Sequence, residues 1–158
     1  MSAKVVHQVA TSMRQWPRTS AALVFGATGT ALSILWWSPI IFQTRAVLPF
    51  VLFIGTPGVS AAVVGAILGK PLLDPARIRN SINAALRGAA IASLALLLFV
   101  PLFATLYVLT QAPHEHWSIL SLTLLMLMGS AFVVWWLVAL IGAAAGWALY
   151  LMTSYVAR

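Results

Sequence analysis

The chain has 158 residues and a mass of 16.9 kDa; 62% of the residues are hydrophobic, only 7% are charged, the formal net charge is +7, and there is no cysteine. A soluble domain carries roughly 25% charged residues, and nine basic plus two acidic side chains cannot cover a water-facing surface of this size. Disorder requires low hydrophobicity and a secreted disulfide scaffold requires cysteines, so the composition leaves a multi-span membrane protein as the expectation.

Residues 1–18 are expected to form a cytoplasmic amphipathic segment. Val5, Val6, Val9, Met13 and Trp16 fall on one helical face, and Lys4, Gln8, Thr11, Ser12 and Gln15 lie largely on the other, the pattern of a helix lying in the membrane interface. Pro17 should end it, with Thr19 or Ser20 capping the next helix. The basic stretch before the apolar run is too long, and the run itself too extended, for a cleaved signal peptide.

The remainder, 19–158, reads as a four-span membrane domain. A helix crossing about 30 Å of hydrocarbon needs about 20 apolar residues, and four stretches meet this: 21–42, 46–69, 84–109 and 118–152. They do not alternate polar with apolar residues, so a closed β-barrel is excluded. The expected fold is all-α, an integral membrane bundle of four transmembrane helices arranged as two helical hairpins. Asp74-Pro75 has the form of a helix start; a helix running from there to Leu109 would extend about 52 Å. The fourth run, read as one straight helix, is equally long, with a break near Gly142 as the alternative. Each half pairs two spans across a short outer loop, a faint sign of a two-plus-two repeat.

Lys4, Arg14, Arg18, Lys70, Arg77, Arg79, Arg87 and Arg158 all fall on one side of these spans, against Arg45 alone on the other. The positive-inside rule then places both termini in the cytoplasm. The bias fits a bacterial inner (plasma) membrane. No basic block alternates with exposed aromatics, so nucleic acid is not an expected partner.

Four features bear on function. Ala61, Gly65 and Gly69 are spaced by four, as are Gly142 and Gly146 and also Ala22 and Gly26; such ladders let another helix backbone approach closely, either within this chain or in a partner subunit. Trp135 and Trp136 fall deep in the fourth run, where an indole N–H has no evident acceptor; they are candidates for lipid anchoring or for a partner contact. Gly55-Thr56-Pro57-Gly58 should kink or open the second span, and with Thr28 and Thr30 it would line a pore. His114-Glu115-His116, in the outer loop, is a weak metal, haem or pigment motif: a structural zinc site needs four ligands, and no further outer-face ligand is evident. No metal or cofactor is therefore expected.

Catalysis finds little footing. The only acids, Asp74 and Glu115, fall on opposite sides of the membrane, and there is neither a readable nucleophile–base pair nor a phosphate loop. The spans hold no Asp, Glu or His for proton coupling. The expected role is a non-catalytic accessory, scaffolding or assembly subunit of a larger membrane complex. A small homo-oligomeric channel or transporter is the first alternative, and a haem- or pigment-binding subunit using His114 and His116 is the second. The expected partners are the lipid bilayer and other membrane subunits.

Overall fold

The computed structural model describes residues 8, 11–13, 15–44, 51–70, 80–111 and 118–155. Among these residues the fold is all-α, without a strand. Helix α1 spans Pro17–Thr44; a π-helical turn at Val51–Gly55 leads into α2 at Thr56–Leu68; α3 covers Ser81–Gln111, α4 Ile119–Val133 and α5 Trp135–Tyr155. Two stretches, Ser81–Thr110 in α3 and Trp135–Ser154 in α5, are long and apolar enough to cross a membrane. Leu52–Leu68 and Ile119–Gly129 are apolar but shorter.

Several helix ends differ from the sequence expectation. Pro17 opens α1 instead of only ending the segment before it: the chain bends at Trp16, and the Ser20 N–H donates to the Trp16 carbonyl at 2.9 Å. Proline at the first helical position loses no hydrogen bond, because that N–H has no intrahelical acceptor. Thr19 and Ser20 therefore lie inside the first turn and do not cap it. Of the expected amphipathic face, Met13 packs against the core, whereas Trp16 is exposed; Val5, Val6 and Val9 lie outside the described residues.

A helix unbroken from Asp74 is not what the described residues show: Asn80 is not helical, and α3 begins at Ser81. The chain bends at Asn80, and the Ile82 N–H donates to Asn80 Oδ1 at 3.4 Å, so Asn80 caps a helix that begins at Ser81. Asp74 itself lies outside the described residues. The fourth run is interrupted, neither straight nor broken at Gly142. A turn at Val134 separates α4 from α5. The residues around it, Phe132-Val133-Val134-Trp135-Trp136, are all β-branched or aromatic, the types that lose most side-chain freedom in a helix.

The helices pack antiparallel in sequence. In the first hairpin, Gly65 of α2 and Gly69, which follows its last turn, meet Ala21 of α1, while Gly58 and Ala61 meet Thr30 and Gly29 farther along. In the second, Gly146 of α5 meets Ala84 of α3, and Gly142 meets Gly88 and Ala92. Phe53 against Phe103 joins the π turn to α3. In both pairs, glycines of the second partner rest near the start of the first helix, Gly65 and Gly69 at Ala21 and Gly146 at Ala84. The buried cluster of Ala21, Phe25, Ala61, Val64, Ala84, Ile91, Ala95 and Leu149 unites α1, α2, α3 and α5. Half of it is alanine, so its cohesion comes from close helix approach and summed dispersion more than from large buried side chains.

Candidate functional site

The small-residue ladders form contacts within the chain. A Cβ at Gly88 would overlap the Gly142 carbonyl oxygen and lie 2.9 Å from the Gly146 Cα; one at Gly142 would overlap the Gly88 carbonyl and the Ala92 methyl. A Cβ at Gly65 would fall 3.0 Å from the Ala21 oxygen, and one at Gly69 would overlap the Ala21 methyl. Ala61 lies against Gly29. These glycines serve as surfaces on which one backbone rests against another.

The two tryptophans separate. Trp135 turns inward, and its indole N–H donates to Ser93 Oγ on α3 at 3.1 Å, the acceptor that sequence alone did not supply. Trp136 turns outward and is 74% exposed. Because consecutive helical residues lie about 100° apart, one ring can lock α5 to α3 while its neighbour faces away. Ser93→Ala or Trp135→Phe is expected to lower bundle stability by about 1 kcal/mol. A double-mutant cycle read by denaturant titration should show the two losses to be non-additive; additive losses would mean the bond contributes nothing.

The Gly55–Gly58 segment stays wound. Gly55 has helical angles, φ −68° and ψ −45°, and Pro57 falls in the first turn of α2. There its missing N–H costs no α-helical bond, and the wider π turn just before it accommodates the ring. Thr56 and Gly58 are buried, and Gly58 packs under Thr30. The Thr28 and Thr30 hydroxyls donate to the carbonyls of Val24 and Gly26 on their own helix, at 2.7 and 2.9 Å.

A cavity of about 390 Å³ lies among all five helices, beside the turn at Val134. Phe25, Thr28, Gly29, Leu32 and Ser33 line it from α1, and Pro57 and Ala61 from α2. The α3 wall runs from Ala92 to Val100 through Ala95, Leu96 and Phe99; Met126 and Gly129 come from α4, and Val134, Leu137, Val138, Ile141 and Gly142 complete it. Its two hydroxyls are internally bonded, Thr28 to Val24 and Ser33 to the Gly29 carbonyl at 2.8 Å. The lining is thus almost wholly apolar. Of the residues proposed from sequence as pore-lining, Thr28 and Pro57 reach this cavity.

His114, Glu115 and His116 lie outside the described residues, as do Asp74 and Arg45. Among the described residues no group of three or more potential metal ligands occurs. Sequence reasoning passed over Gly88, although Ala84-x-x-x-Gly88-x-x-x-Ala92 carries the same small-residue spacing as the ladders it did read. Ser93 and Phe99 gave no comparable signal.

Comparison with protein-family models, with curated proteins and with solved structures finds no match to this chain.

Proposed function

We propose that this chain is an integral membrane protein of four spans and a non-catalytic accessory, scaffolding or assembly subunit of a larger membrane complex. The observation that carries the reading is a continuous apolar stripe on the outside of α5. Trp136, Leu140, Ala144, Trp147 and Leu151 recur at helical spacing, and all are exposed. Single exposed leucines are ordinary, but contiguous exposed apolar surface marks contact with lipid or with a partner. Tryptophan is enriched where partners bind most strongly. The glycine ladders pack within the chain, so the partner surface proposed here is made of large side chains.

The antiparallel order supports the membrane placement. Arg18 lies just before Ala21, Lys70 just after Gly69, and Arg87 just before Gly88, so the basic positions gather toward one end of the bundle. With the positive-inside rule this supports cytoplasmic termini in a bacterial plasma membrane. The scarcity of acids supports a non-catalytic role.

The test is purification of the tagged chain from its native membrane in mild detergent, followed by a native gel and mass spectrometry. The expected result is recovery with other chains at fixed stoichiometry. Trp136→Ala combined with Leu140→Ala and Trp147→Ala should reduce that recovery at least tenfold, with the helical circular dichroism unchanged. Migration of the unaltered chain alone, or only as a homo-oligomer, would overturn the reading.

A further inference from the structure

We infer that the cavity beside Val134 is a binding site for one acyl chain of a membrane phospholipid; this rests on the membrane placement proposed above. The space is half open to the outside rather than sealed, and at about 390 Å³ it falls within the range of ligand pockets. Small residues contribute to its lining, with Ala92 and Ala95 on α3 and Gly129 on α4. Along α1 it runs from Phe25 to Ser33, about 12 Å at helical rise, long enough to take a stretch of a linear alkyl chain.

The lining selects against polar occupants. The Thr28 and Ser33 hydroxyls already donate to carbonyls of their own helix, and among the described residues no charged side chain lines the space. A quinone ring or a sugar would bring oxygens that find no donor there, and a buried polar group without a partner is costly. An alkyl chain brings none. Helix α4, which contributes Met126 and Gly129 to the lining, has exposed Leu120, Leu124, Leu125 and Met128 and packs less extensively on its neighbours than α5 does on α3. A Cβ at Gly129 would meet nothing within 4 Å, so a larger side chain can be built there without displacing backbone.

The test reconstitutes the full chain in vesicles of phosphatidylethanolamine and phosphatidylglycerol, with part of the phosphatidylglycerol carrying a diazirine in mid acyl chain. Irradiation and peptide mass spectrometry then locate the adducts. The expected adducts fall on cavity residues Phe99 and Met126 as well as on outward Leu98 and Leu125. Gly129→Phe should lower the cavity adducts at least fivefold and change the outward ones less than twofold. Met126→Trp, scored at Phe99, serves the same purpose if Gly129→Phe loses its helical circular dichroism. A tenfold excess of free palmitate should leave the cavity adducts within twofold; their loss would overturn phospholipid as the source of the chain. Outward adducts without cavity adducts, or cavity adducts unchanged in both variants, overturn the site and leave the membrane placement standing. Absence of adducts everywhere overturns both.

Discussion

Gly88→Ala is expected to destabilise the bundle by on the order of 3 kcal/mol, whereas Gly129→Ala should stabilise it by up to about 1 kcal/mol. Glycine inside a helix costs about 1 kcal/mol relative to alanine, so propensity alone predicts a gain at both positions. Packing reverses the sign at Gly88. The added methyl would overlap the Gly142 carbonyl oxygen and crowd the Gly146 Cα; these are backbone atoms on another helix and cannot rotate away. Overpacking typically costs 1–3 kcal/mol, and contact with backbone places this case near the upper end. At Gly129 nothing lies within 4 Å of the new methyl, so the propensity gain remains. Denaturant titration of the purified protein, followed by helical circular dichroism, reads both variants. Equal gains would mean that α3 and α5 do not approach at Gly88.

The contrast shows which parts of the fold could be read from the chain. The all-α class follows from long apolar runs without alternation. The ladders at Gly65, Gly69, Gly142 and Gly146 were visible because a spacing of four is a local pattern. Whether their partner was this chain or another was not local information: Gly146 meets Ala84 only because the intervening chain folds back antiparallel. The same limit hid the acceptor of Trp135, since Ser93 is forty-two positions away. The turn at Val134 was hidden for another reason. Hydropathy treats Val, Phe and Trp as equivalent to Leu, but a helix does not, and the run of branched and aromatic residues around Val134 was a propensity signal masked by its own apolarity. The cavity had no signature of its own, because it is made by atoms that residues on five helices do not have.

Pro57 shows how a perturbation legible in the sequence takes its form from the surrounding fold. Proline within an apolar run removes a donor, and a kinked or opened span is the expectation from sequence. The chain places the proline in the first turn of α2 and widens the preceding turn, so the perturbation takes the form of a junction. That junction needs a fixed neighbour, because π-helical turns are uncommon and are retained where the surroundings hold them.

Phe103 is that neighbour, and Phe103→Ala is expected to cost about 3 kcal/mol. The ring is 4% exposed. It lies 5.1 Å from Phe53 in the π turn, 5.5 Å from Phe99 and 6.0 Å from Tyr107, measured between ring centroids. Truncation of a buried phenylalanine costs 3–5 kcal/mol in water-soluble proteins. In a bilayer the transfer contribution shrinks, because lipid tails are as apolar as the ring, and the packing lost around the space the ring vacates supplies most of what remains. The loss should be felt first at the π turn. Hydrogen exchange at Val51–Gly55 is expected to rise at least tenfold in Phe103→Ala, with the amides of the α3–α5 interface near Gly88 changed less than threefold. Trp136→Ala removes a larger ring from an exposed site and should shift the unfolding midpoint hardly at all. A cycle of Phe53→Ala and Phe103→Ala should return a coupling of about 1 kcal/mol, the usual worth of an aromatic pair. If exchange instead rises equally along all helices, Phe103 contributes to general packing and the π turn is held by something else.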